Sequence, residues 1–228
     1  IDAAYKAVIL SQFGFGATID FDDVSHKGIT NISTDDVAVA QELGYVIKLV
    51  GDVREVESGI SAEVSPTFLP KNHPLASVND VMNAVFVESI GIGESMYYGP
   101  GAGQKPTATS VLADIIRIAR RLSDGNVGKP FNEFRRDLPL ANPADVKSNY
   151  YFALDTPDEK GKILHLSEIF NSEDISFEQV LQQKANGTTA RIVVITHAMS
   201  KTQLKAVTEK LEAAEDFTVV NTLKVLSN

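Results

Sequence analysis

Asp2 and Lys6 stand four residues apart in the opening run IDAAYKAVIL, which has no glycine or proline before Gly14 and is otherwise alanine, aliphatic and aromatic. Such a run is expected to be helical, and positions i and i+4 of a helix share a face. The carboxylate then sits over the ammonium on a stripe that continues through Ile9 to Phe13. Two readings follow. The pair is a helix-surface ion pair worth roughly a few tenths of a kcal/mol, or it is a proton-handling lysine with an acidic neighbour. A lysine ammonium can stabilise negative charge growing on an oxygen and then protonate it. Burial beside Ile9 and Phe13 would lower the lysine pKa, whereas Asp2 would raise it.

The second chemically suggestive stretch is YYGPGAGQKPT, Tyr97 to Thr107. Its closely spaced Gly99, Gly101 and Gly103 let backbone approach a ligand where a Cβ would clash, and a helix starting behind them offers unpaired N–H groups. It is neither a Walker loop, which needs Gly-Lys followed by Ser or Thr, nor a dinucleotide fingerprint, whose third glycine is replaced here by Pro106. A tight structural turn and a ligand loop both remain open.

Other chemistries are poorly supplied. The 228 residues include no cysteine, which removes disulfides, thiol nucleophiles and thiolate metal sites and fits a reducing compartment. His26, His73, His165 and His197 form no i+3 or i+4 pair, so no metal site is expected. A net charge of -9 argues against a nucleic-acid partner, with RIARR (Arg117 to Arg121) the only basic cluster and readable as the solvated end of a helix. No apolar run reaches membrane-spanning length and no signal peptide is recognisable. The chain starts at Ile1 rather than methionine, so a fragment or processed product is expected.

The elements that must position these residues follow from periodicity. After the opening helix, NISTDDVAVAQELG reads as a helix capped by Ser33 or Thr34 and ended by Gly44. YVIKLVGDVREVE, GISAEVSPTFLP, VMNAVFVES and ESMYYG read as four strands, antiparallel neighbours. TATSVLADIIRIARRL places Val111, Leu112, Ile115, Ile116, Ala119 and Leu122 at helical spacing. This closes a first domain, 1–122, and the Gly-, Pro- and Asn-rich stretch 123–147 reads as a linker. Residues 148–228 then read strand, helix, strand, strand, helix, strand, the split βαβ plan with two helices on one face of a four-stranded sheet. The expected fold class is α/β (α+β), a mixed-sheet domain followed by a ferredoxin-like βαββαβ unit.

In their order and spacing, IDAAYKAVIL, HKGIT, DDVAVAQELGYVIKLV, HPLASVNDVMNAVFVES, YYGPGAGQKPTATSVLADII and the C-terminal βαββαβ unit resemble homoserine dehydrogenase over nearly the whole chain. The family's N-terminal Rossmann domain has no counterpart here, since no GxGxxG follows a strand. The resemblance implies reduction of aspartate semialdehyde to homoserine with NADPH or NADH, toward threonine, isoleucine and methionine. It places the family's DxxxK pair on Asp2 and Lys6, the lysine relaying the proton on the substrate oxygen and Asp2 helping to hold substrate. It also sets Gly99, Gly101, Ala102 and Gly103 against the NADP or NAD cofactor. The C-terminal unit resembles an ACT domain, which implies an effector, L-threonine first, at Gly161, Gln179 and Gln183. Lys160 replaces the proline usual before that glycine. A cytoplasmic homodimer or higher homo-oligomer is the implied state. The competing class is a non-catalytic amino-acid-binding or oligomerisation module.

Overall fold

A computed structural model describes residues 1–126, 128, 134–186 and 188–226, without the side chains of 184–186. The elements run α1 (Asp2–Phe15), β1 (Ser25–His26), α2 (Thr34–Glu42), β2 (Tyr45–Val56), β3 (Gly59–Pro70), β4 (Met82–Ser89), β5 (Gly93–Pro100) and α3 (Gln104–Ser123). There follow β6 (Lys147–Pro157), α4 (Lys162–Asn171), β7 (Phe177–Asn186), β8 (Thr189–Thr196), β9 (Met199–Ser200), α5 (Lys201–Ala213) and β10 (Thr218–Val225). The chain divides into two compact units, one made of 1–70 with 134–228 and the other of 71–133.

In the larger unit the strand order is β1-β3-β10-β6-β8-β7, with β2 on the other edge of β3. Strands β10, β6, β8 and β7 are antiparallel neighbours, the arrangement of a split βαβ unit. Helices α4 and α5 bury Leu166, Ile169, Phe170, Val207 and Leu211 against Tyr150, Phe152, Leu154, Ile192 and Val194 on one sheet face. Alternation along β6 sends Tyr151 and Ala153 to the other face, where α2 contributes Val39 and Ala40. Ser33 caps α2 through a box with Asp36, each side chain taking the other's backbone N–H at 3.1 and 3.0 Å.

Two differences from the sequence expectations concern pairing. The four strands of the first half are not one antiparallel series. β2 and β3 pair over twelve positions in the large sheet, and β4 with β5 forms a separate two-stranded ribbon. β3 is buried almost throughout because it also pairs in parallel with β10, Lys224 opposite Thr67 and Val225 opposite Phe68. The boundaries 1–122 and 148–228 therefore do not follow the compact units, since one sheet spans both segments. Of the expected linker 123–147, residues 127 and 129–133 lie outside the described residues; residues 134–141 run along the larger unit, where Ile60 and Ala141 exchange backbone hydrogen bonds with Pro139 and Ile60.

The smaller unit holds the β4–β5 hairpin and α3. None of its described residues is buried. The apolar stripe of α3 that includes Val111, Leu112, Ile115 and Ile116 is 44–57% exposed. Among the described residues no helix is long and apolar enough to cross a membrane, and no group of three His, Cys, Asp or Glu could hold a metal ion.

Candidate functional site

Helix α1 forms as its sequence predicts, but its buried face is a small-residue stripe, Ala4, Ala7 and Ser11, laid on β2 and β3. Small side chains let the helix lie close to the sheet, where Ile60, Ala62 and Val64 complete the contact. Ile9 and Phe13 stay exposed, so the apolar seam expected beside the lysine is instead an open surface. The reason is the phase of the helix: the stripe holding residues 4, 7 and 11 points away from that holding 2, 6, 9 and 13.

On that open face Lys6 Nζ lies 2.8 Å from Asp2 Oδ2, the side chains being 58% and 85% exposed. The hydrogen bond from Lys6, and then its charge, hold the Asp2 carboxyl below the ordinary carboxylate range. Asp2 is thus a firmly ionised acceptor. The neighbouring Tyr5 stacks on Phe21 with ring centroids 4.5 Å apart, and Phe21 meets the His26 ring at 5.3 Å. No local sequence signal marks this aromatic row, which depends on α1 and the segment before β1 coming together.

The glycine loop lies in the smaller unit between β5 and α3. The N–H of Gly101 donates to Val81 O at 2.9 Å, and a Cβ at Gly101 would stand 1.9 Å from Asn83 Nδ2. A Cβ there would have to displace only the exposed Asn83 side chain. Gly103 takes the N-cap position of α3 with φ 124°, and no side chain caps the helix. A Cβ on Gly99 would meet open space. The loop therefore joins a structural turn at Gly101 to an uncapped helix start, whose outward N–H groups and dipole suit a phosphate or an amide oxygen.

In the βαββαβ unit Gly161 is the N-cap of α4, with φ 91°. Gln179 and Gln183 lie on one face of edge strand β7, opposite Ile195 and Arg191 of β8. Gln183 and Gly161 are brought to the same end of the sheet, where Asp158 N donates to Thr188 O at 3.0 Å, and Gln179 lies farther along the strand. Arg191 forks onto Asp155 at 2.7 and 3.0 Å there, an ion pair not evident from sequence spacing.

A second feature is invisible to periodicity. Lys224 contacts both Asp52 and Glu63, Lys201 reaches Glu63 at 2.7 Å, and Arg54 reaches Asp52 at 2.7 Å. Burial alone would push the Glu63 carboxyl up, but Lys224 and Lys201 overcome it and hold it at about 2.

The homoserine dehydrogenase family matches residues 1–116. The homoserine dehydrogenase of Lactococcus lactis subsp. lactis is 59% identical over 228 residues, covering 100% of this chain and 53% of that protein. That of Bacillus subtilis is 35% identical over 217 residues, covering 94% and 50%. The crystal structure of a homoserine dehydrogenase from Thiobacillus denitrificans superposes with a TM-score of 0.90 at 31% identity, covering 99% of this chain and 53% of that one. The chain thus spans about half the length of the relatives it matches.

Proposed function

Because the chain belongs to the homoserine dehydrogenase family, we propose that it supplies the substrate-facing and regulatory portion of an enzyme that reduces L-aspartate 4-semialdehyde to L-homoserine. The observation that carries the reading is the Asp2–Lys6 pair, held at 2.8 Å on the open face of α1 where the family's DxxxK residues fall.

Reduction of an aldehyde leaves negative charge on its oxygen, and a cation beside that oxygen lowers the barrier. Lys6 stabilises the charge and delivers the proton that completes the alcohol. Asp2, kept ionised by Lys6, orients the ammonium and holds the polar end of the substrate. NADPH or NADH, when bound, supplies the hydride. Gly99, Gly101, Ala102 and Gly103 with the start of α3 fit one edge of such a cofactor, through backbone N–H groups and a helix dipole. These residues cannot form a whole dinucleotide site, so the family's nucleotide-binding domain is needed for turnover.

In this proposal residues 148–228 are an ACT-type regulatory unit, with L-threonine bound at Gly161, Gln179 and Gln183. The start of α4 receives the carboxylate and the glutamine amides receive the remaining polar groups. The open edge of β7 supports a homodimer or higher homo-oligomer, since an unpaired edge is a ready pairing surface, and the cytoplasm is the compartment proposed for it. The product would serve threonine, methionine and isoleucine biosynthesis.

The test is Lys6→Ala in the full-length protein. Turnover should fall about 10²- to 10⁴-fold with melting temperature unchanged, because Lys6 is exposed. Near-normal turnover would remove Lys6 from the mechanism.

A further inference from the structure

Strand β3 has one edge fully paired with β2, while its other edge is shared end to end by two strands. β1 pairs with it at Glu63 and Val64, and β10 pairs with it at Thr67 and Phe68. Ser65 and Pro66 lie between, and Pro66 has no N–H to give a ladder. The sheet therefore parts at this point, leaving a cleft of about 640 Å³ with Leu204 and Thr208 of α5 among its lining residues. That size lies within the range of small-molecule sites.

The cleft is lined by Lys27, Lys201 and Lys224 against a single carboxylate, Glu63. Glu63 is already saturated by Lys201 and Lys224. Lys27 is different. Its ammonium donates to Thr222 O at 2.9 Å and Asn221 Oδ1 at 3.3 Å, both neutral, and among the described residues no carboxylate forms an ion pair with it. An ammonium has three N–H donors, so one remains for a ligand. Lys27 is exposed overall, and partial desolvation of its ammonium lowers its pKa, opposed by the charge of Asp36. A bound anion would relieve that cost. Leu204 and Val219, both partly buried, give the remaining wall an aliphatic character.

We propose that this seam binds a small organic monocarboxylate with a branched aliphatic tail, its carboxylate on Lys27 and its tail toward Leu204 and Val219. The one free N–H of Lys27 calls for a single acceptor oxygen, which a carboxylate supplies. The site is separate from the Asp2–Lys6 face and from Gly161, and it stands whether or not the reading of those residues holds.

Calorimetric titration of the full-length protein with 4-methylpentanoate tests it, with the neutral 4-methylpentanamide as the matched control. The acid should bind saturably, with Kd below about 1 mM, and the amide about 10- to 100-fold more weakly, the value of a hydrogen bond to a charged group. Lys27→Met should weaken the acid by the same factor. Thr208→Trp, which fills the cleft and keeps the cation, should abolish binding. Lys6→Ala should leave binding intact, which separates this site from a substrate site that also takes carboxylates. No saturable heat up to about 10 mM, equal binding of acid and amide, or loss through Lys6→Ala alone would overturn the proposal. If Lys27→Met fails to fold, the acid–amide comparison on the unmutated protein and Thr208→Trp still decide it.

Discussion

The Tyr151 hydroxyl donates to Asp36 Oδ1 at 3.0 Å, joining residues 115 apart in sequence. Asp36 is 1% exposed, and it also accepts from Ser33 and from Asn221 Nδ2 at 3.0 Å. Burial pushes this carboxyl up, and the four donors, Ser33 N–H, Asn221, Ser33 Oγ and Tyr151, bring it below its ordinary value. The helix cap of α2 is thus also the bolt that fixes α2 to the βαββαβ sheet. Tyr151→Phe keeps the ring and removes one donor to a charged group, so it should cost about 1.5–3 kcal/mol. Urea unfolding should show a lower midpoint with unchanged slope; a loss under about 0.5 kcal/mol would mean water replaces the hydroxyl.

Glu63 gives a pH dependence with a definite sign. Its carboxyl falls from 4.5 to about 2 on folding, so the stability it contributes is complete above 4.5 and is lost as pH falls toward 2. Stability measured between those values should therefore decline steeply. Glu63→Gln should flatten that decline and should cost about 3–5 kcal/mol at neutral pH, because it leaves buried ammonium charge short of a partner. An equally steep acid limb in the variant would assign the slope to other carboxylates.

Gly59 begins β3, where a Cβ would stand 2.1 Å from the carbonyl oxygen of Pro139, in a backbone with φ 142°. Backbone cannot swing aside as a side chain can. Gly59→Ala should therefore cost more than about 3 kcal/mol and should loosen the strand-like contact of Ile60 with Leu140. Hydrogen exchange at Ile60 and Ala141 should accelerate together; acceleration at neither would show that the segment yields without losing its pairing.

L-threonine should give saturable heat and a raised melting temperature when titrated into the full-length protein. Gln183→Ala should weaken it about tenfold, the value of one or two hydrogen bonds. No heat at millimolar threonine, with the oligomer intact, would leave residues 148–228 an assembly role alone.

Asp2→Asn preserves the size of the side chain and removes its charge. If Asp2 both orients Lys6 and holds substrate, KM should rise and turnover should fall, by about tenfold each for a lost charged hydrogen bond. A change in KM alone would restrict Asp2 to binding.

Local pattern carried much of the fold into the sequence. The cap at Ser33, the helices α4 and α5 and the strand β6 all follow from the residues within a few positions. The Asp2–Lys6 contact was legible for the same reason, being an i,i+4 pair. The burial phase of α1 was not. Large Ile9 and Phe13 outweigh Ala4 and Ala7 in any hydrophobic reading, yet the sheet accepts the small stripe because close approach needs small side chains. The β3–β10 pairing and the Lys224 cluster could not be read either, because parallel pairing between distant segments leaves no periodic trace.

That pairing has a kinetic consequence. Lys224 meets Glu63 across 161 residues of chain, and β10 lies between β3 and β6 in the sheet. During synthesis β3 and β6 emerge long before the strand that must sit between them. Until then one edge of each waits open, exposed to chaperones and to other nascent chains. The large sheet should accordingly close late, in a slow step limited by loop closure rather than by local structure formation.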